Sequence, residues 1–497
     1  MRIAINYLAV LVVLIFTSVT FSDTIVPGGS VDGMWEVQSS PYVVQGEVSV
    51  VDGNSLTIEP GVVVLFETGG LSVSGTLIAE GDVNNPIIFT SAGDKPDVND
   101  WVGIEVDRGS ACELKHCIIE FASTGIKCYE SSPNITNCAI QRNMEGIHIY
   151  ARGVGSAGCS DRDANPTIIS CNISENQGHG VHYIGIGHNS TGCTLNHRPK
   201  GTVAGILSSC EIFGNGNCGV YLKAQNGTVG DGSACPTIVN NRIFANVKDG
   251  IYIAGDDPTT ASIEDNEIFE NLGSGINCTS TSTGPSILYN VISQNGDEGV
   301  YNINTDVTFE YNHITDNDEN GVVTENLKSF QQNGIFNNNP FQCMYLGSTD
   351  QAAPNNDWGT SDSQEIDALI YDHLDDPNVG TIQYIPFERI DDSKPTVVSV
   401  SPVDGGSDVN LDVIIEVAFS EDMRASTLNT DTVILSEGEN IVPGKIIYSD
   451  GILEFDPDGL LKGDTIYTLT LSSDIQEATY LKNHIDAYST SFVTINN

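Results

Sequence analysis

Short runs in which apolar and polar residues alternate, parted by glycine-bearing turns, dominate the chain up to about residue 325. Between residues 42 and 90 they fall at 48–51, 56–58, 62–66, 71–73 and 76–79. A period of two marks half-buried strands, and no long helical period interrupts it. From Cys117 the pattern becomes a repeat. Eight coils open Cys/Asn-x-Ile, at Cys117, Cys138, Cys171, Cys210, Asn241, Asn266, Asn290 and Asn312. Seven place asparagine five residues on, from Asn143 and Asn176 to Asn295 and Asn317, and all eight then carry Gly-Ile or Gly-Val, at Gly125, Gly146, Gly180, Gly219, Gly250, Gly275, Gly299 and Gly321. The starts lie 21, 33, 39, 31, 25, 24 and 22 residues apart. Such a period predicts a solenoid of parallel strands, because one coil alone cannot bury its apolar side.

The register sorts residues by direction. Ile or Val after the repeat glycine points inward and the next residue outward. The outward column reads Lys127, His148, His182, Tyr221, Tyr252, Asn277, Tyr301 and Val323. Rings stacked about 4.8 Å apart make a ribbon for an extended ligand. Tyrosine also favours strands with no ligand to bind. The asparagines form internal ladders and belong to the scaffold. Three successive coils are longer than the rest, with the extra sequence at 151–165, 184–203 and 224–234. Equivalent positions stack, so these loops are expected side by side as a shared wall beside the ribbon.

Composition narrows the partners. Sixty-six acidic residues against twenty basic ones give a net charge of −46, which repels nucleic acid and bare anionic lipid. An acidic polysaccharide is repelled too unless a cation such as Ca²⁺ bridges the two. No cofactor is evident beyond that Ca²⁺. Arg2, an apolar run at 8–16 and small residues near Ser22 read as a signal peptide over 1–22. No later run approaches membrane-spanning length. The expected mature protein is secreted or at the cell surface, not membrane-inserted, and monomeric. Of twelve cysteines, Cys117, Cys138, Cys171 and Cys210 share one repeat position and are expected as stacked, buried thiols. Cys159, Cys193 and Cys235 sit in loops and are the disulfide candidates.

Past Val323 the repeat fades. Residues 366–374 have helical character and 375–386 read as a last strand, together a closing cap over the core. Strand candidates at 397–400, 413–419, 432–435, 445–448, 452–455, 465–471 and 491–495 predict a seven-stranded β-sandwich. Ser40-Pro-Tyr-Val-Val-Gln-Gly-Glu-Val, Leu56-Thr-Ile-Glu-Pro-Gly-Val-Val-Val and Gly75-Thr-Leu-Ile-Ala-Glu-Gly resemble the opening coils of secreted right-handed, single-stranded parallel β-helix proteins. Asn355-Asn-Asp-Trp-Gly-Thr and the ending at Tyr384-Ile-Pro-Phe387 resemble the closing segment of the same group. Pro395-Thr-Val-Val-Ser-Val-Ser-Pro-Val-Asp-Gly with Val417-Ala-Phe-Ser-Glu-Asp-Met423 resembles the bacterial Ig-like domains of surface-layer and other exported proteins. The chain divides into signal peptide (1–22), β-helix with cap (23–390) and Ig-like sandwich (391–497).

Neither resemblance specifies a reaction. The reading favoured is a non-catalytic surface that binds an extended polysaccharide or surface polymer, through Lys127, His148, His182, Tyr221, Tyr252, Asn277 and Tyr301. A rival is a polysaccharide lyase or glycoside hydrolase at the inserted loops. There a Ca²⁺ and a basic residue would draw on Asp161, Asp163, Arg162, Arg198 and Lys200, although no spacing among them defines a metal site. A third reading is a structural or adhesive surface protein. Asn304-Thr-Asp306, Asp256-Asp257 and Gly178-His-Gly180 resemble polygalacturonase signatures but run in reverse order through different coils, and are rejected as a site.

Overall fold

The computed structural model describes residues 23–155, 159–188, 198–227, 230–256, 259–280, 283–387, 389 and 393–496. The proposed signal segment 1–22 lies outside them, as do Cys193 and Asp257. The chain winds into coils whose strands stack in three parallel sheets of 13, 14 and 12 strands. The first sheet takes the Cys/Asn-x-Ile strands, the second the Gly-Ile/Val strands, and the third closes the coil. Inward residues such as Ile119, Ile147, Val181, Val220, Ile251 and Ile276 are fully buried and form one continuous core.

Two tight corners flank the first sheet, and their chemistry explains the repeat. The residue before each ladder position is left-handed: Asn240, Asp265, Tyr289 and Tyr311 at one corner, Ala245, Glu270, Gln294 and Asp316 at the other, with φ between 53° and 57°. This conformation costs a non-glycine residue on the order of 1 kcal/mol or more. The ladders offset it. Asn271 Oδ1 accepts from the backbone N–H of Asn246 at 3.2 Å and from its Nδ2 at 2.9 Å, while Asn271 Nδ2 donates to Ile243 O at 3.0 Å and to Asn295 Oδ1 at 3.0 Å. A parallel ladder runs Asn241, Asn266, Asn290, Asn312. The glycine column follows from this crowding. A Cβ on Gly250 would lie 2.5 Å from Ile268 Cγ2, 2.7 Å from Gly275 O and 2.9 Å from Asn271 Nδ2.

Cys117, Cys138, Cys171 and Cys210 are buried free thiols at the head of the first ladder, the backbone N–H of Cys117 meeting Cys138 Sγ at 3.4 Å. Burial pushes the core thiols Cys128 and Cys278 up to about 12. Of the loop cysteines, Cys159 is disulfide-bonded. Cys235 is a free, half-buried thiol, which corrects its expected pairing: it follows the short inserted strand Gly232–Ala234 with Ser233 Oγ as its side-chain neighbour.

The ladders outlast the predicted repeat. Asn333 and Asn356 extend the first and Asn338 the second, where Gln342 Oε1 closes it at 2.9 Å. The helix of the cap is Ser363–Leu369, and Ile370–Tyr371 joins the second sheet as its last strand, so the predicted helix ends sooner than expected. The sandwich has a four-stranded and a five-stranded sheet. All seven expected strands are present. The two additional ones, Gly406–Val409 and Asn440–Val442, are short and largely exposed, and so lack an apolar signature.

The sandwich docks on the corner of the first sheet. Arg424 forks onto Asp265 with two bonds of 2.7 Å, lies 4.0 Å from the Tyr289 ring centre, and shares Asp265 with Lys482 at 3.4 Å. Tyr480 O–H donates to Asp357 Oδ2 at 2.9 Å.

Asn271→Ala removes one rung and orphans the buried N–H of Asn246, so we expect a loss of about 2–3 kcal/mol, read as a lower urea midpoint. Asp265→Ala strands Arg424, 12% exposed, without its carboxylate. The expected outcome is faster protease cleavage between residues 387 and 397 with the solenoid's far-ultraviolet circular dichroism unchanged.

Candidate functional site

The outward column is in register along the second sheet: Lys127 beside His148, His148 beside His182, then Tyr221, Tyr252, Asn277, Tyr301 and Val323. All are half-buried except Val323, which is 3% exposed and closes that end. His148 and His182 stack at 4.9 Å with rings 11° from parallel. His182 meets Tyr221 edge-on at 4.7 Å, and Tyr221 stacks on Tyr252 at 5.4 Å. Lys127 turns the other way and pairs with Glu105 at 2.7 Å.

A groove of about 480 Å³ opens over the middle of the column. His182, Tyr221 and Tyr252 line it together with Ile184 and Lys223, which point outward two residues further along their strands. The facing wall is the turn before each strand, contributing His179, Asn217, Cys218, Lys248 and Asp249. His148 adjoins the groove through its stack on His182. A hollow of about 550 Å³ between the two domains is lined mainly by acidic and small residues, including Glu421, Asp422 and Glu477, and offers no stack of rings.

The described residues of the inserts, Ile184 apart, do something other than line the groove. They form a fourth parallel sheet, Arg162–Ala164, Gly201–Val203 and Gly232–Ala234, behind the lengthened strands Glu145–Arg152, Val181–Ile186 and Val220–Gln225. Gly185 faces inward onto it, and a Cβ there would lie 2.1 Å from Ser233 O. Ala164, Val203 and Ala234 are buried in the common core. The inserts therefore widen the coil and back the ribbon.

The suggested catalytic residues sit on this backing sheet and its edges. Arg162 pairs at 3.0 Å with Glu130, whose side chain is 5% exposed. Burial raises the Glu130 pKa while the Arg162 charge opposes that shift. Asp161 Oδ1 accepts from the Lys200 backbone N–H at 2.8 Å. Asp163, Arg198 and Lys200 are exposed, and none of the five is among the described residues lining the groove.

Sequence reasoning missed the second file of side chains, one position before the repeat glycine: Glu145, His179, Cys218 and Asp249. Each lies three residues ahead of a ribbon residue, and the tight turn brings the two files together. His182 Nδ1 and Glu145 Oε1 are 3.1 Å apart, and His179 rests 4.6 Å from the Tyr221 ring. Asn217 Nδ2 lies 3.2 Å from His179 Nε2. Desolvation lowers His148 and His179 to about 4, and raises Asp249 and Tyr221.

A right-handed β-helix region model matches residues 167–292, and a bacterial Ig-like domain model matches residues 391–494. No curated protein matches the chain in sequence. Among solved structures, the N-terminal part of the bacterial S-layer protein SbsC is 16% identical over 21% of this chain, with a TM-score of 0.17, and the match spans only 24% of that protein. The periplasmic alginate epimerase AlgG is 12% identical over 72% of this chain and 84% of its own, with a TM-score of 0.36. The A-module of Azotobacter vinelandii mannuronan C-5 epimerase AlgE4 is 12% identical over 74% and 90%, with a TM-score of 0.28.

His148 is expected to stay neutral down to about pH 4, well below the ordinary 6.5 for imidazole, because protonation would leave its charge poorly hydrated. Its imidazole resonances, assigned with a His148→Gln variant, check this: a midpoint near 6.5 contradicts the burial described.

Proposed function

Because the chain is a right-handed parallel β-helix protein with a C-terminal bacterial Ig-like domain, we propose that its second sheet binds an extended polysaccharide or surface polymer along the His/Tyr ribbon. The observation that carries this reading is the groove whose floor is His182, Tyr221 and Tyr252 in register. Stacked rings alone would not suffice. Phe213, Phe244 and Phe269 also stack, at 4.9 and 5.0 Å on the first sheet, but Arg242 covers Phe244 and Phe269 at 5.2 and 5.4 Å while pairing with Glu211 and Glu267. That ladder is closed by its own ion pairs. The His/Tyr ribbon opens into a cleft where apolar sugar faces can stack and Lys223 and Lys248 can donate to hydroxyl or carboxylate oxygens. Two cations beside the cleft matter in a chain of net charge −46.

The binding reading goes with export of the mature chain to the cell exterior and with the Ig-like domain as a spacer. No helix among the described residues is long and apolar enough to cross a membrane. The lyase or hydrolase reading at the inserts draws less support, since Arg162 is committed to Glu130.

On a glycan array the full chain is expected to bind at least one linear polysaccharide, with Tyr221→Ala and His182→Ala each weakening binding about tenfold, in line with the loss of one ring contact. Unchanged binding in both variants, or no glycan signal, would overturn the reading. Release of new reducing or unsaturated ends would establish an enzyme instead.

A further inference from the structure

The two files of side chains meet at one point where stacking does not account for the residues. Glu145, His179 and His182 each place a ligand-type atom within 4.8 Å of the other two. They come from two successive coils, at the two lengthened strands and the turns that feed them. The fixed coil-to-coil register therefore holds the cluster, with no flexible loop involved. His182 Nδ1 and Glu145 Oε1, 3.1 Å apart, are close to the edge of about 3.3 Å expected for donors arranged tetrahedrally about 2.0 Å from a zinc ion.

The hydrogen-bond accounting points the same way. His179 Nδ1 is buried and has no partner among the described residues. Buried imidazole nitrogens are ordinarily satisfied, so this one, beside the His182 Nδ1–Glu145 Oε1 edge, asks for something to meet it. Asn217 supplies what a metal-binding imidazole needs behind it. Its amide contacts His179 Nε2 at 3.2 Å. Amide oxygen and nitrogen are interchangeable by rotation. With the oxygen toward the ring it accepts from Nε2–H, leaving Nδ1 as a bare lone pair. His148, stacked on His182, fixes the plane of that ring from the other side.

We infer that Glu145, His179 and His182 form a binding site for a borderline divalent transition-metal ion such as Zn²⁺, set in the groove wall and leaving a coordination position toward the cleft. Two imidazoles and one carboxylate suit that class of ion, whereas Ca²⁺ prefers a shell of oxygens. Three protein ligands are one short of a closed tetrahedron, the arrangement in which zinc keeps a place for water or an incoming oxygen ligand. The site stands apart from the polymer-binding reading, since it would take the metal with no glycan present.

The test uses the full chain, stripped with a chelator and titrated with Zn²⁺ by calorimetry, and separately with Co²⁺ by visible absorption. One equivalent is expected, with a cobalt spectrum free of thiolate charge-transfer bands, which separates this site from Cys235. His179→Ala and Glu145→Gln should abolish that equivalent. Asn217→Ala should weaken it about tenfold, the size usual for loss of an orienting partner. His313→Ala, on a distant coil, should leave it unchanged. Glu145→Gln keeps the side-chain shape, so it remains informative should His179→Ala fold poorly. No stoichiometric binding, a thiolate spectrum, or binding that survives Glu145→Gln would overturn the assignment.

Discussion

The structure depends on the hydrogen bonds that tie each coil to the next at its two sharpest corners. Parallel strands of three residues offer few backbone bonds each, and their corners force ordinary residues into the left-handed region. The asparagine rungs answer both problems. Each side chain accepts from the coil after which it is stacked and donates into the next, so that the N–H left over by the corner is met inside the core. The glycine column is the steric counterpart, since a methyl at Gly250 would collide with the rung of the following coil. Register is fixed to a single residue, and with it the direction of every outward side chain.

A surface of aligned groups follows without further design. Once His148, His182, Tyr221 and Tyr252 fall in line, their separation is set by the strand spacing, and from Lys127 to Tyr301 the ribbon runs six steps, about 29 Å at 4.8 Å each. That length suits a polymer better than a small molecule. The three inserts modify the ribbon from behind. By adding a buried sheet they lengthen the strands beneath Glu145, His182 and Tyr221, giving the groove a second outward row in Ile184 and Lys223.

Much of this is legible in the sequence because the repeat carries its own register. Counting two residues from each glycine put the column in register and outward except at the buried Val323, and the shared position of Cys117, Cys138, Cys171 and Cys210 foretold stacked thiols. The facing wall was harder to read. Glu145, His179 and Asp249 lie in turns, where period-two alternation no longer says which way a side chain points. Their file one place before the glycine was visible as a column, but only the turn geometry folds it onto the ribbon. The inserted strands escaped notice because Gly201-Thr-Val and Gly232-Ser-Ala read as glycine-rich loop, and their burial comes from close approach through small residues. The last coils were missed for a narrower reason: Asn333-Gly-Ile keeps the ladder motif, while Gln342-Cys343 replaces the usual Gly-Ile.

The placement of the second domain bears on what the solenoid can present. Arg424 and Lys482 reach Asp265 and Tyr289, corner residues at the edge of the first sheet, and Tyr480 packs over Gly334 and His313 of that same sheet. The ribbon lies on the second sheet, and the groove residues belong to the coils from Glu145 to Tyr252, ahead of most of the docking coils. The sandwich therefore holds the solenoid by a different face and leaves the ribbon uncovered. The two-bonded fork of Arg424 on Asp265 is also a directional contact, unlike an apolar patch, which would tolerate sliding. The aligned rings thus line, together with His179, one cleft on a face of the solenoid that the docking contacts do not use.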